Sequence, residues 1–131
     1  MSEWIRVLAV GSGGFVGAVA RYLISLGLQR ATESASFPFG TLVVNVSGCL
    51  VIGLLAGLLT TRLVLSPELR LLIITGFLGA LTTFSTFSLE TVNLWRNGTY
   101  GLAALNLSGQ LLLGVGGVWT GMWLANALAA R

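Results

Sequence analysis

The sequence predicts an all-α membrane protein with four transmembrane helices, the third of them broken, forming one domain over residues 1–131. Three observations lead there. Of the 131 residues, 55% are hydrophobic and 8% charged, and the mean hydropathy is +0.91. A soluble domain of this size would lack the polar groups to cover its surface. Four apolar runs, roughly 5–28, 39–61, 69–95 and 100–128, match the length of about 20 residues that a bilayer core requires. The 18 glycines would weaken soluble helices, but in a membrane they let backbones approach closely.

Each span has its own punctuation. The first run shows no small-residue cleavage pattern ahead of a polar region, so it reads as a retained span and not a signal peptide. A polar connector, 29–38, closes on Pro38 ahead of the second span. Ser66-Pro67-Glu68 opens the third, an N-cap followed by Pro at the first helical position. Arg96-Asn97-Gly98 ends it with a Gly stop signal, and Trp95 and Tyr100 flank the turn as interfacial aromatics do. Gly13/Gly17, Gly53/Gly57 and Gly117/Gly121 are GxxxG pairs in three different spans, which reads as helix packing.

Charge and cysteine usage exclude several classes. There is no Lys and no His, and seven Arg against four acids give +3, too sparse for a nucleic-acid footprint. The lone Cys49 sits in an apolar run, so neither an intrachain disulfide nor a His/Cys metal site is available. No nucleophile–base pair offers itself for enzymatic catalysis. Four spans place both termini on one side, with Arg6, Arg62, Arg70 and Arg131. Arg30 and Arg96 fall on the other, with Arg21 nearest to it. That near balance admits two readings: termini in the cytoplasm, or insertion in both orientations. Four helices enclose little volume, which predicts a self-assembled dimer or larger oligomer.

Polar residues at membrane depth are costly and tend to be functional. Arg21 either snorkels to the interface or sets a fixed positive charge at the mouth of an anion path. Asn45 lies mid-span with Thr41 one turn earlier on its face, suited to a ligand or to a helix contact. In the third span Thr82, Thr83, Ser85, Thr86 and Ser88 crowd together just after Gly76 and Gly79. Hydroxyls that bond back to their own helix, next to weak helix formers, predict a break over Gly79 to Thr82. Carbonyls released there could hold a cation across an oligomer axis. Beyond the break, Thr83, Thr86, Phe87 and Glu90 fall on one stripe, with Phe84 sharing part of it. Two Phe at this spacing can be core packing. Interleaved with hydroxyls, their electropositive edges also suit a pore for a small anion. Asn106 and Gln110, four apart on the fourth span, either complete a polar lining or hold helices together.

These residues resemble a known family. Gly14-Phe15-Val16-Gly17-Ala18 running to Arg21-Tyr22, Pro38-Phe39-Gly40-Thr41-Leu42-Val43-Val44-Asn45, and the long stretch from Gly76-Phe77-Leu78-Gly79 through Thr83-Phe84-Ser85-Thr86-Phe87-Ser88-Leu89-Glu90 are similar to the bacterial Fluc (CrcB) fluoride channels. The third motif is the most specific, and the fourth span matches loosely. The resemblance implies an antiparallel, dual-topology homodimer in the bacterial cytoplasmic (inner) membrane. It implies two pores per dimer that let fluoride leave the cell passively and so confer fluoride resistance. Phe84 and Phe87 match pore-facing phenylalanines, and Asn45 matches an Asn that faces the fluoride path. Thr83, Ser85, Thr86 and Glu90 match the polar side of the third helix, and Arg21 matches the first-helix Arg. Gly79 and Thr82 match positions whose backbone carbonyls hold a structural sodium ion at the dimer interface. Some relatives have Tyr and Ser where this chain has Asn106 and Gln110.

Two competing readings stand beside this. A proton-coupled exporter of the small multidrug-resistance type would use Glu90, the one acid well inside a span, and its flux would require a pH gradient. A structural subunit of a larger membrane complex would not purify as a stable, active dimer.

Overall fold

The computed structural model describes residues 3–32, 36–61 and 63–130, and among them the secondary structure is entirely helical. Arg62 and Arg131, counted in the charge balance, and part of the first connector lie outside the described residues. Helix α1 spans Glu3–Ala31 and α2 spans Phe39–Thr61. The third span divides into α3, residues 67–81, and α4, Phe84–Arg96; α5 spans Tyr100–Ala129. Four stretches are long and apolar enough to cross a membrane: Glu3–Ala31, Phe39–Thr61, Pro67–Arg96 and Tyr100–Ala129. The expected helix starts and stops hold. Ser66 caps α3 by accepting the Leu69 N–H at 3.2 Å, with Pro67 at the helix start. Gly98 turns the chain into α5 at φ +77°, where an L side chain would be strained, while the Trp95 and Tyr100 rings meet edge-on at 4.8 Å.

α3 contains a feature the sequence did not announce. Between its first turn, Pro67–Arg70, and its last, Gly79–Leu81, the stretch Leu71–Leu78 winds as a π-helix. The Gly79 N–H accordingly reaches the Ile74 carbonyl, five residues back. This wide turn lies against the glycines of α1. A Cβ at Gly13 would collide with the Leu72 carbonyl and one at Gly17 with the Phe77 carbonyl, while one at Gly76 would come within 2.6 Å of the Val10 carbonyl. α2 and α5 pair in the same way, Gly53 against the Val118 carbonyl and Gly121 against the Leu50 carbonyl. The GxxxG positions are thus packing surfaces, as expected. Lipid tails are as apolar as leucine side chains, so close backbone contact replaces the hydrophobic drive available in water.

Large apolar side chains such as Trp4, Leu112, Trp119 and Trp123 point outward, and the buried apolar set is small: Val44, Leu78, Leu81, Phe87, Leu94, Ala103 and Ala125. Thr41, Asn106 and Gln110 are buried among them. The outer surface of the spans is largely apolar, and a set of polar side chains runs along an internal seam between α2, α4 and α5.

Candidate functional site

The seam is built around the helix break. Thr82 and Thr83 both have extended backbones, with φ/ψ of −84/154° and −152/114°. Gly79, expected to open the break, remains helical at −62/−33°. This corrects the expected Gly79–Thr82 interval, and the reason lies in α2. Asn45 Oδ1 accepts the Thr83 N–H at 2.7 Å, and Asn45 Nδ2 donates to the Thr83 carbonyl at 3.1 Å. The side-chain amide supplies to one extended residue the two bonds a helix would otherwise give, so the break falls where Asn45 can reach and not where glycine is weakest. On the far side, the Thr83 hydroxyl caps α4 by accepting the Thr86 N–H at 3.3 Å and donates to Thr86 Oγ1 at 3.0 Å, with Ser85 Oγ 3.3 Å away. On the near side, Thr82 gives both its N–H and its hydroxyl to the Leu78 carbonyl. Gly48 makes room, since a Cβ there would strike the Thr82 methyl.

A cleft of about 380 Å³ opens at the break. Asn45, Thr82, Thr83, Phe84, Phe87 and Gln110 line it, with Gly79 at its edge. The two rings meet edge to face, with centroids 5.5 Å apart and planes at 68°. They differ sharply in setting: Phe87 is 5% exposed and Phe84 76%. Phe87 therefore anchors the arrangement while Phe84 projects from it.

A second, more polar cavity of about 680 Å³ lies at the end of the bundle nearest the first connector. Gln29, Arg30, Asn93 and Asn97 ring it, and Thr41 and Glu90 lie at its inner wall, where Thr41 Oγ1 donates to Glu90 Oε1 at 2.6 Å. Thr41 and Asn45 are one turn apart on α2, and Thr83 and Glu90 lie two turns apart on the third span. The same pair of helices thus carries polar groups from this vestibule toward the cleft.

α5 closes the seam. Gln110 Oε1 accepts from Asn45 Nδ2 at 3.0 Å, and Asn106 Nδ2 donates to Thr91 Oγ1 at 2.9 Å, which in turn bonds the Phe87 carbonyl. Among the described residues, three buried atoms on this seam have no hydrogen-bond partner: Glu90 Oε2, Asn106 Oδ1 and Gln110 Nε2. The Thr83 N–H can only donate, which fixes Asn45 Oδ1 and hence Nδ2, and through Nδ2 fixes Gln110. Both Asn45 amide hydrogens are therefore engaged within the protein, and Gln110 holds the unused amide donor. Asn45 lines the cleft and holds Thr83 and Gln110, with both amide hydrogens engaged in those bonds.

The remaining candidates divide. Thr83, Phe84, Phe87, Ser85 and Thr86 gather at or beside the cleft, and Glu90 belongs to the vestibule. Asn106 is fully buried and ties α5 to α4 behind Phe87. Arg21 is half-buried on α1 and lines neither cavity. Ser108, between Asn106 and Gln110 on α5, is exposed and bonds its own helix at the Ala104 carbonyl. Gly48 and Thr91 escaped sequence reasoning. Gly48 continues the Thr41–Asn45 stripe at helical spacing, a usable signal, whereas nothing in the sequence marks Thr91. Beyond Thr82 N–H to Leu78 O the helical ladder stops, which places the carbonyls of Gly79, Ala80 and Leu81 outside it. Among the described residues no cluster of His, Cys, Asp or Glu accompanies them. Bare carbonyl oxygens are the donor set that suits a hard cation and not a transition metal.

Four apolar spans around a buried polar seam, with one span unwound at its middle, define a multi-pass membrane protein built to bring polar groups to membrane depth. The family model described as "CrcB-like protein, Camphor Resistance (CrcB)" matches residues 8–122, and the chain belongs to that family. It is 44% identical to the fluoride-specific ion channel FluC of Maridesulfovibrio salexigens, over 95% of this chain and 98% of the relative. Identity to the channel of the same name in Ruminiclostridium cellulolyticum is 44%, over 99% of both chains. To that of a Sulfurovum species it is 49%, over 93% of this chain and 94% of the other.

Proposed function

We propose that this protein is a fluoride-selective channel that lets fluoride leave the cytoplasm passively. The observation that carries the reading is the identity of 44% over nearly the full length of both chains to a protein named as a fluoride-specific ion channel. The geometry supports it. Fluoride is small and strongly hydrated, so a pore must replace its lost water with protein donors. The vestibule gathers Arg30 and the neutral amides of Gln29, Asn93 and Asn97 at one membrane face, with Glu90 at its wall bonded to Thr41. The cleft offers the Thr83 hydroxyl, with Ser85 and Thr86 beside it, the edges of Phe84 and Phe87, and the unused Gln110 amide. Several modest sites in a row pass an ion on where one tight site would trap it. Chloride, larger and less strongly hydrated, would be excluded in this reading by a narrow path whose donors are spaced for fluoride.

The working unit in this proposal is an antiparallel homodimer in the bacterial inner membrane, inserted in both orientations, with two pores. A sodium ion between the subunits would rest on the carbonyls at Gly79 and Thr82 and offset their partial charge. Arg21 would contribute to the field around the pore from α1. The exporter reading through Glu90 gains no support from the family, and a channel has no need of catalytic groups.

The test is fluoride efflux, followed with a fluoride electrode, from liposomes holding the purified protein. Passive fluoride flux with chloride excluded is the expected result. Flux that requires a proton gradient, or equal flux of chloride, would sink the reading.

A further inference from the structure

A further groove lies away from the seam, at the opposite end of α1 from the vestibule. It measures about 930 Å³ and is walled by the start of α1, the end of α2, the connector at 63–65 and the start of α3. Val7, Val10, Leu59, Leu63 and Leu71 make its walls apolar, yet Arg6 and Arg70 also line it, and among the described residues no acid does. Arg6 pairs with Glu3 at 3.0 Å, but Glu3 is largely exposed and Arg6 about half so, and such a surface pair is weakly held. Gly11 forms part of the lining, and a Cβ added there would meet nothing within 4 Å. The glycines at 13, 17 and 76 are explained by backbone contact; Gly11 has no such contact, and what it opens is this groove. A glycine inside a helix costs about 1 kcal/mol relative to alanine.

We infer that this groove binds one anionic phospholipid, its acyl chain along Val7, Val10 and Gly11 and its phosphate between Arg6 and Arg70. A pair of arginines above an apolar slot at a membrane face complements a molecule with a negative head and a hydrocarbon tail.

Native mass spectrometry of the purified, detergent-solubilised protein with phosphatidylglycerol or phosphatidylcholine of matched chains tests this. Each arginine contributes about fivefold in affinity for an anionic lipid. Phosphatidylglycerol is therefore expected to bind about thirtyfold more tightly than phosphatidylcholine. In the Arg6→Gln/Arg70→Gln variant the preference falls to near unity. Gly11→Phe fills the slot from a position with free space around it, and is expected to lose the tightly bound lipid while keeping the dimer. Excess inorganic phosphate leaves the lipid bound, since the tail holds part of it. Equal binding of the two lipids by the unaltered protein, full retention in both variants, or displacement by phosphate alone would overturn the assignment. So would loss of the dimer in Gly11→Phe with the lipid preference intact, which would give the groove to a second copy.

Discussion

The side-chain amide of Asn45 holds both backbone groups of Thr83, accepting its N–H at 2.7 Å and donating to its carbonyl at 3.1 Å. Across two helices it stabilises a conformation that the third span would not keep on its own. The break, the cap of α4 and the orientation of Gln110 all follow from this pair.

Removing the amide should therefore unmake the site before it touches an ion. Asn45→Leu leaves the Thr83 N–H and carbonyl and Gln110 Oε1 without partners, each costing about 1–3 kcal/mol when buried. Thermal unfolding in detergent should fall by several degrees and fluoride efflux should be lost. Asn45→Asp keeps the acceptor but sets an oxygen against the Thr83 carbonyl and Gln110 Oε1, and it should fail as well. Wild-type flux in either variant would show that the clamp is dispensable.

The two phenylalanines should separate stability from transport. Phe87, nearly fully buried, should cost about 3–5 kcal/mol on truncation to Ala. Phe84 projects into the cleft, so Phe84→Ile should change stability by no more than about 0.5 kcal/mol. If its ring edge meets the ion, fluoride flux should nonetheless drop roughly tenfold, the scale of an aromatic electrostatic contact. Unfolding curves and efflux rates on the same preparations would check both halves.

Gln110 carries the amide donor that the fold leaves unpaired. Hydrogen bonds to charged groups are worth about 1.5–3 kcal/mol. Gln110→Met should therefore slow fluoride efflux by about ten- to a hundredfold. It should also raise the fluoride concentration at which flux saturates. A purely structural role would lower yield or dimer content and leave that concentration where it was.

Glycines should differ by what lies over them. Gly17→Ala places a methyl against the Phe77 carbonyl and should destabilise by about 1–3 kcal/mol. Gly27→Ala meets nothing within 4 Å and should stabilise by up to about 1 kcal/mol. Melting temperatures of the two variants, measured side by side, should move in opposite directions.

Sodium should matter if the carbonyls at the break hold it. Exchange into a buffer whose only cation is a large organic ion should weaken the dimer and lower fluoride efflux, with recovery when sodium returns. Unchanged cross-linking and flux after exchange would remove sodium from the proposal.

Much of this architecture was already present in the amino-acid order. Four apolar runs, Ser66-Pro67, the turn at Gly98 and the three GxxxG pairs are local signals, and each depends only on the cost of exposing or burying the residues concerned. The crowding of Thr82 to Ser88 beside two phenylalanines likewise marked the third span as the place of chemistry. What the linear order could not decide was which partner each polar group would meet. Gly79 looked like the weak point because glycine lowers helix propensity. Yet the helix parts at Thr82 and Thr83, because Asn45, 38 residues before Thr83, reaches the third span at that point. The same contact engages the Asn45 amide and leaves Gln110 Nε2 unpaired, a partition that their positions alone left open. Propensity belongs to a residue and its neighbours in the chain. Satisfaction of a buried hydrogen bond belongs to whatever the folded helices bring within 3 Å, and only the tertiary structure decides that.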